Sequence, residues 1–159
     1  MNRQEILEGI RTGNSYYYFL QADEKLLNDF NFVQEALSID GQLLEHIPAK
    51  LQDIEEHVLT AVNSRKHKIA FNTALQYASL RIRNKKSVVM FAVENNGFAL
   101  QYASEYLRDD YDIVMAAVSN YGQALQWASD RLRKDKDIVA AAIAKDPDAA
   151  KYQIKIFED

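Results

Sequence analysis

The sequence contains no cysteine, only two prolines and only five glycines in 159 residues. Without cysteine there is no disulfide, no thiolate metal ligand and no cysteine nucleophile, which fits a reducing, cytoplasmic setting in a producing or a host cell. With so little proline and glycine, the turn-rich architecture of a multi-stranded sheet is disfavoured, and the abundant Ala, Leu, Gln, Glu and Lys favour helix. No apolar run approaches the roughly 18 residues that a membrane span requires, and the opening stretch MNRQEILEGIRTG lacks the apolar core of a signal peptide. Excess positive charge is missing too. The net charge of −4 argues against general nucleic-acid binding. It is unevenly spread, −5 over residues 1–67 and +1 over 68–159, which leaves room for two halves with different partners.

What the chain does contain is a repeat. Residues 74–98 (ALQYASLRIRNKKSVVMFAVENNGF), 99–123 (ALQYASEYLRDDYDIVMAAVSNYGQ) and 124–148 (ALQWASDRLRKDKDIVAAAIAKDPD) align without gaps, and each adjacent pair shares 13 of 25 positions. Weaker copies occupy 18–42 and 43–67. A half-unit falls at 4–15, a six-residue insertion at 68–73 is expected to extend the next helix, and residues 149–159 begin a sixth copy, with Tyr152 and Phe157 in register. With 48% hydrophobic residues, the whole of 1–159 reads as one helical-repeat domain.

Each copy predicts two short helices. In the fourth copy Leu100, Ala103 and Leu107 give helix A one apolar face, and Ile113, Val114, Ala117 and Val118 give helix B its buried stripe. Asp112 is expected to cap helix B, with Asn31, Ser87 and Asp137 in the same column and Glu56 the exception. Gly41, Gly97 and Gly122 are expected to end helix B in a left-handed conformation, with Pro147 stopping it by other means. Helices of about ten residues are unstable alone. The fold class is therefore all-α, an α-solenoid of about five stacked helix pairs. The Ala-Ser steps (Ala78-Ser79, Ala103-Ser104, Ala128-Ser129) are read as close-approach positions, and Tyr77, Tyr102 and Trp127 as filler between copies.

The pattern A-L-x-Y-A-S-x-x-L-R followed by [IV]-V-x-x-A-[VI]-x-x-x-G resembles the short helical repeats known as domain of unknown function 4116, closely over 74–148 and weakly over 18–67. That family occurs in tandem arrays in bacterial, protist and viral proteins, including those of intracellular pathogens. The resemblance implies a helical array with an interaction role, and it brings no catalytic residues.

No catalytic, metal-binding or cofactor-binding residues are expected. His46, His57 and His67 are too far apart for an i, i+4 zinc pair and read as exposed or partly buried helix residues. Ser79, Ser104 and Ser129 lack a neighbouring histidine and read as small packing residues. Glu55 and Glu56 open a helix, where acids complement the dipole.

Candidate recognition residues lie where the best copies differ. Tyr106, Tyr111 and Tyr121 cluster in the fourth copy at positions that its neighbours fill with polar groups. They either anchor an interface or lie flat on adjacent helices. Arg81 and Arg83 in RIRNKK, and Arg131 and Arg133 in RLRKDK, form two basic segments in alternate copies; because Asp109, Asp110, Asp112, Asp135 and Asp137 interleave with them, they read first as a solvated charged edge with local ion pairs, and otherwise as a contact for an acidic protein partner or a nucleic acid. The run Tyr16-Tyr17-Tyr18 is expected to seal the end of the array or to mediate self-association. The function expected is non-enzymatic: a module that occupies or inhibits a partner protein, as an adaptor, an inhibitor or a pathogen- or phage-encoded interference factor. The alternative is a nucleic-acid-associated factor using the arginines. No membrane partner is expected.

Overall fold

A computed structural model describes residues 1–64 and 74–155. The expected helix extension at 68–73, His67 and the register of Phe157 lie outside the described residues. Within them every regular element is helical, and no helix is long and apolar enough to cross a membrane. The chain divides into two compact units, Met1–Ile82 and Arg83–Asp159. The boundary falls inside the third copy, so the repeat period continues through both.

In the first unit lie α1 (Arg3–Thr12), α2 (Ser15–Phe19), α3 (Glu24–Leu27), α4 (Phe30–Ile39), α5 (Ala49–Gln52), α6 (Glu55–Val62) and the start of α7 (Leu80–Arg83), with 3-10 segments at Gly41–His46 and Ala74–Tyr77. The second holds α8 (Lys86–Asn95), α9 (Glu105–Arg108), α10 (Tyr111–Asn120) and α11 (Lys136–Lys145), with 3-10 segments at Gly97–Tyr102, Gly122–Trp127, Leu132–Lys134 and Pro147–Tyr152.

Helix B is present in five copies as α4, α6, α8, α10 and α11. The same four columns are buried in α4 (Phe32, Val33, Ala36 and Leu37), α8 (Val88, Val89, Ala92 and Val93) and α10 (Ile113, Val114, Ala117 and Val118), and three of them in α11 (Ile138, Val139 and Ala142), where Ile143 is half-buried. Each large aliphatic side chain fully removed from water contributes about 1.5–3 kcal/mol, which is what holds helices of this length in place. The surprise is α6. His57 stands in the column that holds Phe32, Val88, Ile113 and Ile138, and like them it is completely buried. The expectation of an exposed or partly buried histidine is corrected. The repeat register puts this position at the centre of the core whatever residue fills it.

Three local expectations are also corrected. First, the helix B cap lies two residues earlier than expected. Asp29, Asp110 and Asp135 accept first-turn N–H groups through their side chains, whereas Asp112, Asn31, Ser87 and Asp137 are inside the first turn. Ile54 and Lys85 supply no side-chain cap in the second and third copies.

Second, helix A is not one helix. The ALQY segment is 3-10, the backbone extends at Ala103 (ψ 155°) and Ser104 (ψ 157°), and a single α-turn follows. Serine is the cause. The Ser79, Ser104 and Ser129 hydroxyls accept from the N–H of Ile82, Leu107 and Leu132, so each caps the turn after it. The serine N–H groups turn outward to the preceding copy: Ser79 donates to the Gln52 carbonyl, Ser104 to Arg83 and Ser129 to Arg108. Ile154, in the same column, donates to Arg133. The serines therefore fasten copy to copy rather than merely being small.

Third, no glycine has a positive φ. Gly41, Gly97 and Gly122 open the 3-10 segments, and their missing side chains make room for a carbonyl of the next helix B. A Cβ would lie 2.0 Å from the Ala61 oxygen at Gly41, 2.2 Å from that of Ala117 at Gly97, and 2.4 Å from that of Ala142 at Gly122. The residue just before each 3-10 segment is extended and ends helix B; at Asp40, Asn96 and Asp146 its side chain also accepts from the N–H two residues on, of Gln42, Phe98 and Asp148, whereas Tyr121 makes no such cap. Pro147 opens its 3-10 segment at the first-turn position that tolerates proline.

Candidate interaction surface

The polar residues between copies follow a rule that determines which side chains remain free. The serine hydroxyl of one copy donates to a side chain near the end of the preceding copy's helix A. Ser79 bonds the Asp53 carboxylate, Ser129 bonds the Asp109 carboxylate, and Ser104 bonds the Asn84 Oδ1 at 2.7 Å. Where that residue is aspartate, an arginine two positions after the serine joins it. The Arg81 Nε lies 3.0 Å from Asp53, and the Arg131 Nε lies 3.0 Å from Asp109 while its Nη2 donates to the Asp109 carbonyl. Where it is the uncharged Asn84, the arginine position holds Tyr106.

This arrangement accounts for the electrostatics. The Asp53 and Asp109 carboxyls are held below the usual carboxylate range, first by the serine hydroxyl and then by the arginine guanidinium. Arg133 donates from Nε to the Tyr152 carbonyl at 2.8 Å and its Nη1 pairs with Asp130 at 3.5 Å. Arg83 is half-buried, and no acceptor reaches its Nε. Three of the four arginines singled out from the sequence are thus committed to the chain itself.

The three tyrosines are placed differently from one another. Tyr106 is 74% exposed and Tyr111 40% exposed. Tyr121 is half-buried, its ring 6.3 Å from both Phe98 and Trp127, in a group that Phe98 tightens by meeting Trp127 edge-on at 4.8 Å. Tyr121 therefore belongs to the aromatic packing that begins at the Tyr102 column rather than to an open patch with Tyr106. In the N-terminal run, only Tyr18 packs closely, against Gly9 and Gly13, where a Cβ would strike its ring. Tyr16 leans on His46 at 4.5 Å and Tyr17 stands exposed.

A second polar link is one of the local ion pairs expected along this charged edge. The Lys86 ammonium, at the start of α8, binds Asp110 at 2.8 Å and Asp112 at 3.0 Å at the start of α10. Hydrogen bonds to those two carboxylates hold the ammonium above its ordinary range. Burial pushes the Asp110 carboxyl up, but the Lys86 ammonium and the Ile113 N–H outweigh it, and the net displacement is downward. One copy later Tyr111 replaces the lysine. Its hydroxyl is raised above the ordinary range by burial first and then by Asp137, Asp135 and Asp112. The signal for the first link was present in the sequence as paired columns: Asp/Asn/Asp at 53, 84 and 109 varies together with Arg/Tyr/Arg at 81, 106 and 131.

Among the described residues, no group of three or more His, Cys, Asp or Glu side chains is placed to hold a metal ion. Chain-internal regularity and a few departures from it define the class: an all-helical tandem-repeat protein whose copies are joined by matched polar pairs. The chain belongs to the family described as Domain of unknown function (DUF4116), which matches residues 2–52, 58–108 and 110–155. Each match spans about two of the 25-residue copies, so the family's unit is a pair of them. No curated protein and no solved structure matches the chain.

Proposed function

We propose that this protein is a non-enzymatic interaction module that binds, and thereby occupies or inhibits, a partner protein. One observation carries the reading. Arg81 and Arg131 are spent on Asp53 and Asp109, while Tyr106, in the equivalent column, is left three-quarters exposed with no partner among the described residues. An exposed tyrosine offers a large, stiff contact surface at little entropic cost. An arginine already paired with a carboxylate is a poor phosphate ligand, so the arrangement favours a protein over a nucleic acid. A cytoplasmic adaptor, inhibitor or interference factor of bacterial or viral origin fits this reading.

The test is affinity capture from the source cell with the wild-type chain and with a Tyr106→Ala/Tyr111→Ala variant, followed by mass spectrometry. A partner retained by the wild type in 0.5 M salt and weakened at least about tenfold in the variant is expected, since a tyrosine that acts as an interface hot spot costs about 2 kcal/mol or more when truncated. Capture of single-stranded nucleic acid, lost steeply as salt rises, contradicts it.

A further inference from the structure

Arginine recurs at 83, 108 and 133, one per copy, and only the last has its Nε satisfied. The Arg133 Nε donates to the Tyr152 carbonyl at 2.8 Å, and an Nη pairs with Asp130. Arg83 and Arg108 are half-buried like Arg133, yet the Nε of each is buried with no acceptor among the described residues. Glu105, at 3.9 Å from Arg108, is itself almost fully exposed. A buried N–H without an acceptor is costly, and two of them one copy apart mark a place where acceptors are missing. Arg108 also lines a cavity of about 500 Å³ that it shares with Trp127, Ser129, Glu105 and Asp130.

The surroundings define the missing acceptor. Glu105 and Asp130 repel a phosphate or a carboxylate from the Arg108 cavity, which leaves a neutral carbonyl. Arg133 itself takes a main-chain carbonyl, and the residue after that carbonyl, Gln153, has polyproline II angles (φ −64°, ψ 136°). Tyr102 and Trp127 are half-buried and joined through Phe98, at 6.4 and 4.8 Å, and offer ring faces of the kind on which prolines pack. Spacing decides between extended forms. Arg83 and Arg108 stand just before α8 and α10, which pack against each other, and packed helices lie about 8–10 Å apart. In a polyproline II helix the carbonyls on one side recur about every 9.3 Å, whereas in a β-strand they recur about every 6.8 Å. We infer that Arg83, Arg108, Tyr102 and Trp127 form a two-rung track for a proline-rich segment of the partner protein in the polyproline II conformation, each guanidinium taking one main-chain carbonyl. The inference rests on the protein-binding reading above and names the partner's chemistry. Tyr106 shares the single turn α9 with Arg108, so the track adjoins the exposed tyrosine.

The test titrates the full chain with decaproline blocked at both ends and, as control, with a blocked Gly-Ser peptide of the same length. Trp127 is the only tryptophan in the chain, so its fluorescence reports the site directly. Decaproline should change it saturably, in 0.5 M salt as in low salt, and the Gly-Ser peptide should not. Arg83→Met and Arg108→Met keep the aliphatic stem and should melt close to wild type. Each should weaken decaproline binding roughly tenfold, through the loss of one charge-assisted bond. Arg133→Met, whose guanidinium is already engaged by Tyr152, should bind as wild type does. The inference is overturned by no saturable change at millimolar decaproline, by an equal response to the Gly-Ser peptide, or by full-strength binding to a folded Arg108→Met chain. A salt-sensitive response to oligothymidylate in place of one to decaproline would overturn it too. A captured partner that Tyr106→Ala loses, but Arg83→Met and Arg108→Met still hold, would remove the track and leave the protein-binding reading intact. Decaproline binding without any tyrosine-dependent partner would do the reverse.

Discussion

Gly97→Ala is expected to destabilise the protein by about 2–3 kcal/mol, the upper range for overpacking a site that cannot relax freely. The new methyl carbon would lie 2.2 Å from the Ala117 carbonyl oxygen and 2.9 Å from the Tyr121 Cβ, and both belong to the framework of the following copy. Relief would require moving α10 away from the 3-10 segment at Gly97–Tyr102. That would also strain the bond from Gly97 N–H to the Asn120 side chain, which in turn donates to the Glu94 carbonyl. Gly122→Ala should behave alike against Ala142. Urea unfolding followed by circular dichroism measures the effect. Gly97→Asn separates the two roles open to this glycine. A left-handed position tolerates asparagine, whereas a close-approach position rejects it as firmly as alanine, and the latter is expected here.

His57 should make the protein acid-sensitive. The ring is fully buried, Nδ1 lies 3.1 Å from the Leu51 carbonyl, Phe30 stacks on it at 4.9 Å, and Nε2 meets no partner among the described residues. The carbonyl acceptor assigns the hydrogen to Nδ1 and leaves a bare lone pair on Nε2. Protonation there would bury a charge, so desolvation holds the imidazole pKa below its ordinary 6.5, against smaller raising effects from the Leu51 carbonyl and Glu56. The unfolded chain binds the proton more readily than the folded one. Stability is therefore complete above the unfolded value and is lost as pH falls through it toward the depressed native value, with a slope approaching about 1.4 kcal/mol per pH unit. His57→Ile, which restores the residue type of the equivalent Ile113 and Ile138, should stay within about 1 kcal/mol of wild type at pH 8, where lost ring packing and the Leu51 bond offset relief of the bare nitrogen. At pH 5 it should be the more stable of the two. Denaturation midpoints at the two pH values decide the matter. An identical pH dependence in both proteins would show that His57 titrates normally.

Periodicity was the legible part of this fold. Apolar columns such as Val89, Val114 and Val139 recur every 25 residues because each copy must bury the same stripe, and burial depends on register alone. The capping aspartate was misplaced by two residues because Asp110 and Asp112 are both oxygen-bearing and flank the helix start. Only the extended backbone of Asp110 distinguishes them. Glycine was assigned the commoner of its two uses; nothing in Asn-Asn-Gly announces that an Ala117 carbonyl arrives at Gly97 from twenty residues away. Of the candidate surface, Tyr106 and Tyr111 were legible as departures from the repeat. The engagement of Arg81 and Arg131 was written in a covarying column that becomes visible only when one copy is compared with the residue preceding the next.

The regular columns make the fold, and the departures in the fourth copy are proposed to carry recognition. A chain regularised at Tyr106→Arg and Tyr111→Lys in that copy, with Asn84→Asp in the copy before it to receive the new arginine, tests this directly by restoring the Arg–Asp and Lys–Asp links seen between the other copies. Its Tm and its retention of the captured partner are measured beside wild type. A folded chain of equal or higher Tm that no longer holds the partner is expected. A regularised chain that binds as wild type does, or one that fails to fold, contradicts it.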